Sequence, residues 1–494
     1  HEIDLFDATD YPNPETVDGE ADFNSDKLKE ANLNVRPFDD SKLKVSWLEE
    51  DVFGAFKRKV KDFQPELLAM SATEDTFPIG VSLLKHTKNL KIPTILGGVF
   101  ATFAPEVALS YSDIDVVCVG EGEHVLPELC ERMENKKTYD DIPGLWVKKK
   151  DGTITKNAMA KSINIDKNPI LDLSIFEKGR LYRPMQGKVW KMFPLETHRG
   201  CPYRCTYCNS PFQYDLYKQQ TSSNHFRKKD FNKIRDEIIE FRDKYNVEGF
   251  YFWADTFLAM NKKEFDQFCE MYADIRLPFW MQTRPETISD EKLRKLAEVG
   301  LHRISFGIEH GDEQFRKKLL DRRGKNDHIV EALKIPHRYD IQFSLNNITG
   351  FPEETRDLAM ATVELNRRID ADNANIYSFV PFHGTPLRRL CEQQGLVGSE
   401  TIARALTDRP MLEMPQYPID EIIGIQKCFI LYVKFPRSRW DEIRLAEENS
   451  PTGDRIFGAL KDEFMDKYFV PPKDNPNAEF PASADLEYGI ANPT

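Results

Sequence analysis

Three thiols within eight residues, Cys201, Cys205 and Cys208, constrain this chain more tightly than any other feature. The segment runs Thr197-His198-Arg199-Gly200-Cys201-Pro202-Tyr203-Arg204-Cys205-Thr206-Tyr207-Cys208. Its CxxxCxxC spacing puts soft sulfur ligands on one short loop, a set able to hold three irons of a 4Fe-4S cube. The fourth iron is then open to a ligand that chelates through an amine and a carboxylate. A structural zinc loop is the competing reading. Zinc wants a fourth ligand, which His198 or His225 could supply, and no second CxxC pair completes a four-cysteine site. The other cysteines, Cys118, Cys130, Cys269, Cys391 and Cys428, are scattered and read as buried apolar residues.

Eight cysteines in 494 residues do not make a disulfide scaffold. The length exceeds one hydrophobic core and suggests about three domains of roughly 100–200 residues each. No apolar run approaches the ~18–20 residues that span a bilayer. The opening HEIDLFDATDYPNP lacks a basic-then-apolar signal segment, so a cytoplasmic location is expected, with no membrane partner. With 68 Lys+Arg against 81 Asp+Glu the net charge is −13, which disfavours long-range attraction to nucleic acid or anionic lipid. Nucleic acid is therefore not an expected partner, although a local basic patch could act against the overall field.

The fold class is α/β. In residues 1–150, Leu67 to Met70, Thr94 to Leu96 and Ile114 to Val119 read as buried strands, with helices at Lys42 to Phe63 and before Leu90. That alternation predicts a doubly wound, Rossmann-like sheet with ligands at the carboxyl ends of its strands. Ile3 to Phe6 already resembles a strand, so the natural protein is expected to extend N-terminally. Residues 151–190 are polar, carry Pro169, Gly179, Pro184 and Gly187, and suit a linker. Residues 191–390 alternate again, with strands at Phe250 to Trp253, Phe279 to Gln282, Arg303 to Ile308, Phe343 to Ile348 and Asn375 to Val380. Helices fall at Lys229 to Tyr245, Lys262 to Ile275 and Glu291 to Val299. A partial or full (β/α) barrel follows, with its site at the C-terminal strand ends. Residues 391–494 turn mainly helical and close in a Pro-rich tail from Pro471.

The cysteine loop and the segments after it resemble the radical S-adenosylmethionine (radical SAM) superfamily. The resemblance implies a (β/α) barrel in which the open iron of a 4Fe-4S cluster chelates S-adenosylmethionine (AdoMet) and one electron cleaves it. Tyr207 matches the aromatic position near the adenine. Asp255, in Tyr251-Phe252-Trp253-Ala254-Asp255-Thr256-Phe257, matches the group that recognises the AdoMet amine, a sensible charge-assisted pair. Gln282 and Arg284 end the next strand and could reach the AdoMet carboxylate or the substrate. Ser305 and Glu309, in Ser305-Phe306-Gly307-Ile308-Glu309-His310-Gly311, match residues that meet AdoMet or its ribose. Most relatives carry Ser where His310 stands. Thr349-Gly350-Phe351-Pro352-Glu353-Glu354-Thr355 resembles the Gly-x-Pro-x-Glu turn, with Glu354 equally readable as a helix cap. Phe379 to Leu387 resembles the closing strand.

The N-terminal domain is similar to the cobalamin-binding domain that precedes the barrel in one large subgroup. Leu96 to Thr102 with Ala104-Pro105-Glu106, and Val119-Gly120-Glu121-Gly122-Glu123, carry that likeness. Gly97, Gly98, Gly120 and Gly122 would let backbone approach a large ligand, with Glu121 among them, and Ser71 and Thr73 could hydrogen-bond it. A nucleotide-binding or ligand-free flavodoxin-like domain is the alternative, since Gly-rich strand ends are generic in this fold. No Asp-x-His-x-x-Gly segment is present, which implies no His ligand to cobalt from that motif. His86, His124 and His225 read as surface residues. The methylthiotransferase pattern fails, because Cys118 and Cys130 cannot supply a second cluster.

Together the resemblances imply a cobalamin-dependent radical SAM methyltransferase acting on an unactivated carbon through methylcobalamin. An electron donor of ferredoxin or flavodoxin type is implied as a partner. A peptide or protein substrate, such as active-site residues of methyl-coenzyme M reductase, is preferred over an antibiotic precursor, lipid or porphyrin-type ring, because the helical C-terminal region could wall a broad cleft. Tyr377, on the last strand, is the candidate substrate-facing residue, with core packing as its alternative. A non-methylating cobalamin radical enzyme and a cobalamin or iron–sulfur binding module remain the other readings.

Overall fold

Apolar runs flanked by Gly, Ser or acidic residues form two sheets, and their carboxyl ends meet across one cavity. The computed structural model describes residues 1–8, 11, 33, 50–185 and 188–469. β1 (Leu68–Ser71), β2 (Thr94–Gly97) and β3 (Val116–Cys118) pair in parallel in that order. β4 (Leu145–Lys148) and β5 (Ile154–Lys156) extend the β3 edge antiparallel. Helix Val52–Phe63 leads into β1, its N-terminus capped by the Asp51 carboxylate, which accepts from the N–H groups of Phe53 and Gly54.

The second sheet contains β6 (Tyr182–Met185), β7 (Lys188–Glu196), β10 (Gly249–Trp253), β11 (Phe279–Thr283), β12 (Leu301–Glu309), β13 (Gln342–Thr349) and β14 (Asn373–Ser378). Between β7 and β10 the short strands β8 (His198–Arg199) and β9 (Arg227–Lys228) form an antiparallel ribbon beside the cysteine loop. The sheet order is β14-β13-β12-β11-β10-β7-β6, parallel except for β6. Among the described residues β6 and β14 do not pair, so the barrel is partial.

Helices pack on the outer face of this sheet. Phe252, Phe257, Phe268, Tyr272 and Phe279 interlock, with ring centroids 5.0 Å apart for Phe252 and Phe279 and 5.1 Å for Phe257 and Phe268, joining β10 and β11 to helix Lys262–Tyr272. Helix Ile419–Lys434, buried on nearly every side, packs on helix Arg356–Arg367 and β14. Helices Trp440–Ala446 and Pro451–Lys467 complete a mainly helical C-terminal region.

Some expectations need correction. Ile3 to Phe6 forms no strand: Ile3 is exposed, and Phe6 packs its ring on Phe56 at 5.1 Å, so the segment lies against a helix and not along a sheet edge. The stretch 151–190 carries β5, three short 3₁₀ turns, β6 and the start of β7. β5 and β6 are antiparallel edge strands with one open side, which is why no continuous apolar run announces them. The Lys42 portion of the first helix and the tail from Pro471 lie outside the described residues.

Gly311 fixes how closely the end of β12 approaches helix Arg356–Arg367. A Cβ there would lie 2.0 Å from the Ala361 carbonyl oxygen, and the Gly311 N–H donates to Thr362 Oγ1 at 2.8 Å. Gly311→Ala should therefore cost about 3 kcal/mol, read as a lower urea midpoint. Gly458→Ala, in helix Pro451–Lys467 with open space at its Cβ, should instead gain up to about 1 kcal/mol.

Candidate active site

A cavity of about 930 Å³ opens where the strand ends of the two sheets face each other. The N-terminal sheet contributes Thr73, Glu74, Gly98, Phe100, Gly120 and Glu121; the cysteine loop contributes Tyr207, Cys208, Asn209 and Ser210. β10 ends in Trp253 and Asp255 at the same space. Ile348, Asn375, Ile376 and Tyr377 from β13 and β14, with Gln426, Phe429 and Ile430 of helix Ile419–Lys434, form the far wall. Parallel strands deliver their carboxyl-end loops to one face, and that face is the cavity.

The cysteine loop is pinned from outside. Thr206 Oγ1 donates to the Leu319 carbonyl at 2.6 Å, and the Leu387 N–H donates to the Thr206 carbonyl at 3.2 Å. Cys201 Sγ lies 3.6 Å from Thr256 Oγ1, and Arg284 Nη1 donates to Cys205 Sγ at 3.6 Å. Burial holds the Cys201 and Cys208 thiols above their ordinary range, and both feel the charge of Cys205. The thiols thus lie within electrostatic reach of one another on a loop facing the cavity. Among the described residues no three His, Cys, Asp or Glu side chains converge on a single ion. His198 Nδ1 is engaged with Thr197 Oγ1 at 2.9 Å, and burial pushes its pKa down to about 3.

Of the residues expected around AdoMet, Tyr207 and Asp255 line the cavity. Asp255 Oδ2 accepts from Ser210 Oγ at 2.5 Å; crowding by protein around the carboxyl raises its pKa. Tyr207 Oη accepts from Arg322 Nη1 at 3.2 Å, and the same guanidinium pairs with Glu309 at 3.0 Å. Glu309 has φ 68°, and Gly307 leaves room for it: a Cβ at Gly307 would lie 2.3 Å from Glu309 Oε1. Gln282, Arg284, Ser305 and Glu309 stand behind the lining. Gln282 Nε2 donates to the Ala254 carbonyl at 3.3 Å, while Ser305 Oγ accepts from Trp280 Nε1 at 3.0 Å and shares a 3.0 Å bond with Ser344. Arg284 also stacks 3.8 Å over Tyr203 and pairs with Glu286. Glu354 is buried and accepts from the N–H groups of Gly350 and Phe351 at 2.5 and 2.9 Å, closing that turn, while Thr355 caps the following helix. His310, also buried, lies 3.3 Å from Glu354.

At the N-terminal sheet, Thr73, Gly98, Gly120 and Glu121 line the cavity, whereas Ser71, Gly97 and Gly122 do not. Gly98 (φ 105°) and Gly120 (φ 99°) are required by their neighbours, since a Cβ would lie 2.4 Å from the Ala72 carbonyl oxygen and 2.7 Å from Tyr217 Oη respectively. A Cβ at Gly97 or Gly122 would meet open space. Tyr377 is half-buried on β14 at the far wall, and burial raises its pKa.

Two buried clasps escape a sequence reading. The Glu121 carboxylate accepts from Arg199 Nη1 at 3.1 Å, from Arg227, and from the Ile163 N–H at 2.9 Å; Arg199 also pairs with Glu123 at 2.6 Å and Glu196 at 2.8 Å. Glu74, 3% exposed, accepts from the His383 N–H at 2.9 Å, from His383 Nδ1 at 2.6 Å and from the Ala403 N–H at 2.8 Å. His383 falls in the Phe379 to Leu387 segment that sequence resemblance singled out, but a charged residue's buried partner leaves no local signal. His225 corrects an expectation: it is buried, stacks on Tyr217 at 5.2 Å, and burial pushes its pKa down to about 4. His86 and His124 are exposed as expected.

Burial opposes ionisation of Glu121, but hydrogen bonds from Arg227 and the Ile163 N–H, with the charges of Arg227 and Arg199, outweigh it and hold its pKa below the ordinary 4.5. A folded pKa below the unfolded one adds stability that is present above the unfolded value and lost as pH falls through the folded one. Glu121→Gln should therefore lower the thermal midpoint at pH 7, and the gap from the parent should close as pH falls below 4.5.

A family model described as "Radical SAM superfamily" matches residues 195–365, and one described as "B12 binding domain" matches residues 39–130. An uncharacterised methyltransferase from Pyrococcus horikoshii is 24% identical over 413 residues, covering 82% of this chain and 86% of that protein. The radical S-adenosylmethionine methyltransferase TsrM from Kitasatospora setae, solved with cobalamin and a 4Fe-4S cluster bound, is 17% identical with a TM-score of 0.55, covering 78% of this chain and 75% of that one. The cobalamin-dependent S-adenosylmethionine radical enzyme OxsB, solved with aqua-cobalamin and S-adenosylmethionine, is 15% identical with a TM-score of 0.58, covering 84% of this chain and 64% of that one. A cysteine loop beside a partial barrel, an N-terminal sheet facing it and these matches agree: the chain carries a B12-binding domain followed by a radical SAM domain, and is similar over most of its length to enzymes that pair the two.

Proposed function

We propose that this enzyme transfers a methyl group to an unactivated carbon in a residue of a peptide or protein. The shared cavity carries the reading: the strand ends of the N-terminal sheet, the cysteine loop and the apolar far wall address one space, so two cofactors and a substrate carbon can meet there. When bound, the cluster with AdoMet supplies removal of a substrate hydrogen atom and cobalamin supplies the methyl group.

Cys201, Cys205 and Cys208 would hold the cluster. Asp255 offers its carboxylate to the AdoMet ammonium, a charge-assisted pair for which Ser210 already orients one oxygen. Tyr207 presents its ring to the cavity, and Arg322 with Glu309 holds its hydroxyl from behind. Gln282, Arg284 and Ser305 act as positioning residues beneath that surface. Thr73, Gly98 and Gly120 line the floor on which cobalamin would lie, beside the open backbone at Gly97 and Gly122 and the exposed Ser71; Glu121 keeps that floor against Arg199.

Ile348, Ile376, Phe429 and Ile430 make the far wall apolar, and Lys427, at its edge, is engaged with Asp454 at 3.0 Å. Such a wall lodges an uncharged side chain better than a phosphate or carboxylate. Tyr377, Asn375 and Gln426 are polar groups that would orient the substrate against it.

The test is anaerobic incubation of reconstituted enzyme with methyl-labelled AdoMet, dithionite and a proteome-derived peptide library, followed by mass spectrometry. Label on a carbon of one peptide class is expected; label that goes no further than cobalamin, with S-adenosylhomocysteine and deoxyadenosine formed but no labelled peptide, would count against a peptide substrate. Cys205→Ala should abolish cluster absorbance and deoxyadenosine formation while cobalamin stays bound. Tyr377→Phe should lower product formation about tenfold with the cluster spectrum unchanged, the loss of one substrate-orienting hydrogen bond.

A further inference from the structure

Enzymes of this superfamily need a reductant, and the chain is acidic overall, at −13. One segment runs against that field. Between Arg316 and Lys325 stand Arg316, Lys317, Lys318, Arg322, Arg323 and Lys325, with Asp321 the single acid. The fold sorts these cations by direction. Arg316 is buried and donates to the His310 carbonyl at 2.5 Å and the Gly324 carbonyl at 2.8 Å; Arg322 is buried against the Gly307 carbonyl at 2.6 Å and Tyr207 Oη. Lys317, Lys318, Arg323 and Lys325 are exposed. Asp321 pairs with Arg323 at 3.5 Å, whereas Lys317, Lys318 and Lys325 have no ion-pair partner among the described residues.

This basic ridge is bonded to the cysteine loop. Lys318 is followed by Leu319, whose carbonyl accepts from Thr206 Oγ1 at 2.6 Å, and Thr206 is the residue after Cys205. The Thr206 N–H also points to the Leu320 carbonyl, at 3.4 Å. From the exposed lysines to a cluster thiol the path is one peptide unit, one hydrogen bond and one further residue. Buried Arg316 and Arg322 anchor the segment, and the Leu319 and Leu320 carbonyls tie it to the loop.

We propose that the ridge of Lys317, Lys318, Arg323 and Lys325 is the docking surface for an acidic one-electron carrier protein of flavodoxin or ferredoxin class, which delivers its electron to the cluster held by Cys201, Cys205 and Cys208. The inference rests on the cluster reading of those cysteines. In each event one electron leaves the carrier's flavin or iron–sulfur centre, which is oxidised by one, and the enzyme's cluster is reduced by one; no proton need cross the interface. Transient redox partners join through small interfaces, and complementary charge sets their encounter rate. On an enzyme of this net charge an acidic carrier is repelled from most of the surface, so a local cluster of lysines beside the cysteine loop selects both the partner and the point of entry.

The test uses the reconstituted holoenzyme and its Lys317→Glu/Lys318→Glu/Lys325→Glu variant. Deoxyadenosine formation is followed with dithionite and, separately, with enzymatically reduced flavodoxin or ferredoxin, and calorimetry gives the Kd for the oxidised carrier. The expected result is a loss of about tenfold or more in carrier-supported kcat/KM with a matching rise in Kd. A flatter dependence on ionic strength should accompany it, with the dithionite rate within about twofold of the parent. Equal carrier-supported rates and Kd in parent and variant would overturn the docking surface. So would a parent that works with dithionite but with neither carrier, or a short RNA that binds the ridge as tightly as the carrier does. A parent inactive even with dithionite, lacking cluster absorbance, would instead remove the cluster reading beneath it.

Discussion

The structure depends on two buried carboxylates, Glu121 and Glu74, that hold the N-terminal sheet against the barrel. Glu121 lies three residues beyond β3 and pairs with Arg199, two residues before Cys201. Glu74 lies three residues beyond β1 and binds His383 beyond β14. Buried pairs of this kind add little net stability, because removing the charges from water costs nearly what their attraction returns. What they add is position. Losing one partner leaves an uncompensated charge, so the two sheets keep one relative arrangement, and the cavity between them keeps one shape.

The cavity follows from that arrangement. Parallel strands of both sheets carry their variable loops at the same end, and the clasps turn those ends toward each other. The barrel remains open between β6 and β14, and helix Ile419–Lys434 covers β14 and lends Gln426, Phe429 and Ile430 to the far wall. A closed barrel would bury this space in its own core. The partial one leaves room for a second domain to present a large planar ligand to the cysteine loop.

Much of this was legible in the chain. β2, β3 and β10 are short, nearly continuous apolar runs, as strands buried on both faces tend to be, while β11, β12 and β13 mix apolar with polar residues. The cysteine loop and the glycines after β2 and β3 lie at the ends of such runs. The antiparallel edge strands β5 and β6 were not legible, because a strand with one open side can be as polar as a linker. The glycines also divide in a way sequence does not foretell: Gly98 and Gly120 answer to their own neighbours, Ala72 and Tyr217, while Gly97 and Gly122 leave the space open. Ser305 and Gln282, placed near AdoMet by resemblance, spend their hydrogen bonds inside the sheet.

By itself the sequence determined the cysteine loop, the parallel strands at the heart of the two sheets and the order of the domains, because cysteine spacing and apolar runs are local properties that chain neighbours enforce. Only the tertiary structure decided the fate of the charges. Glu121, expected among the groups that meet cobalamin, and Glu74, which nothing in the local sequence marks, are interdomain clasps; His225 reads as a surface residue and is buried against Tyr217. Arg316 and Lys317 are adjacent in sequence, yet one is buried as a brace and the other is exposed. A charged side chain is stable wherever it finds water or an opposite charge, and which of these it finds depends on residues up to hundreds of positions away.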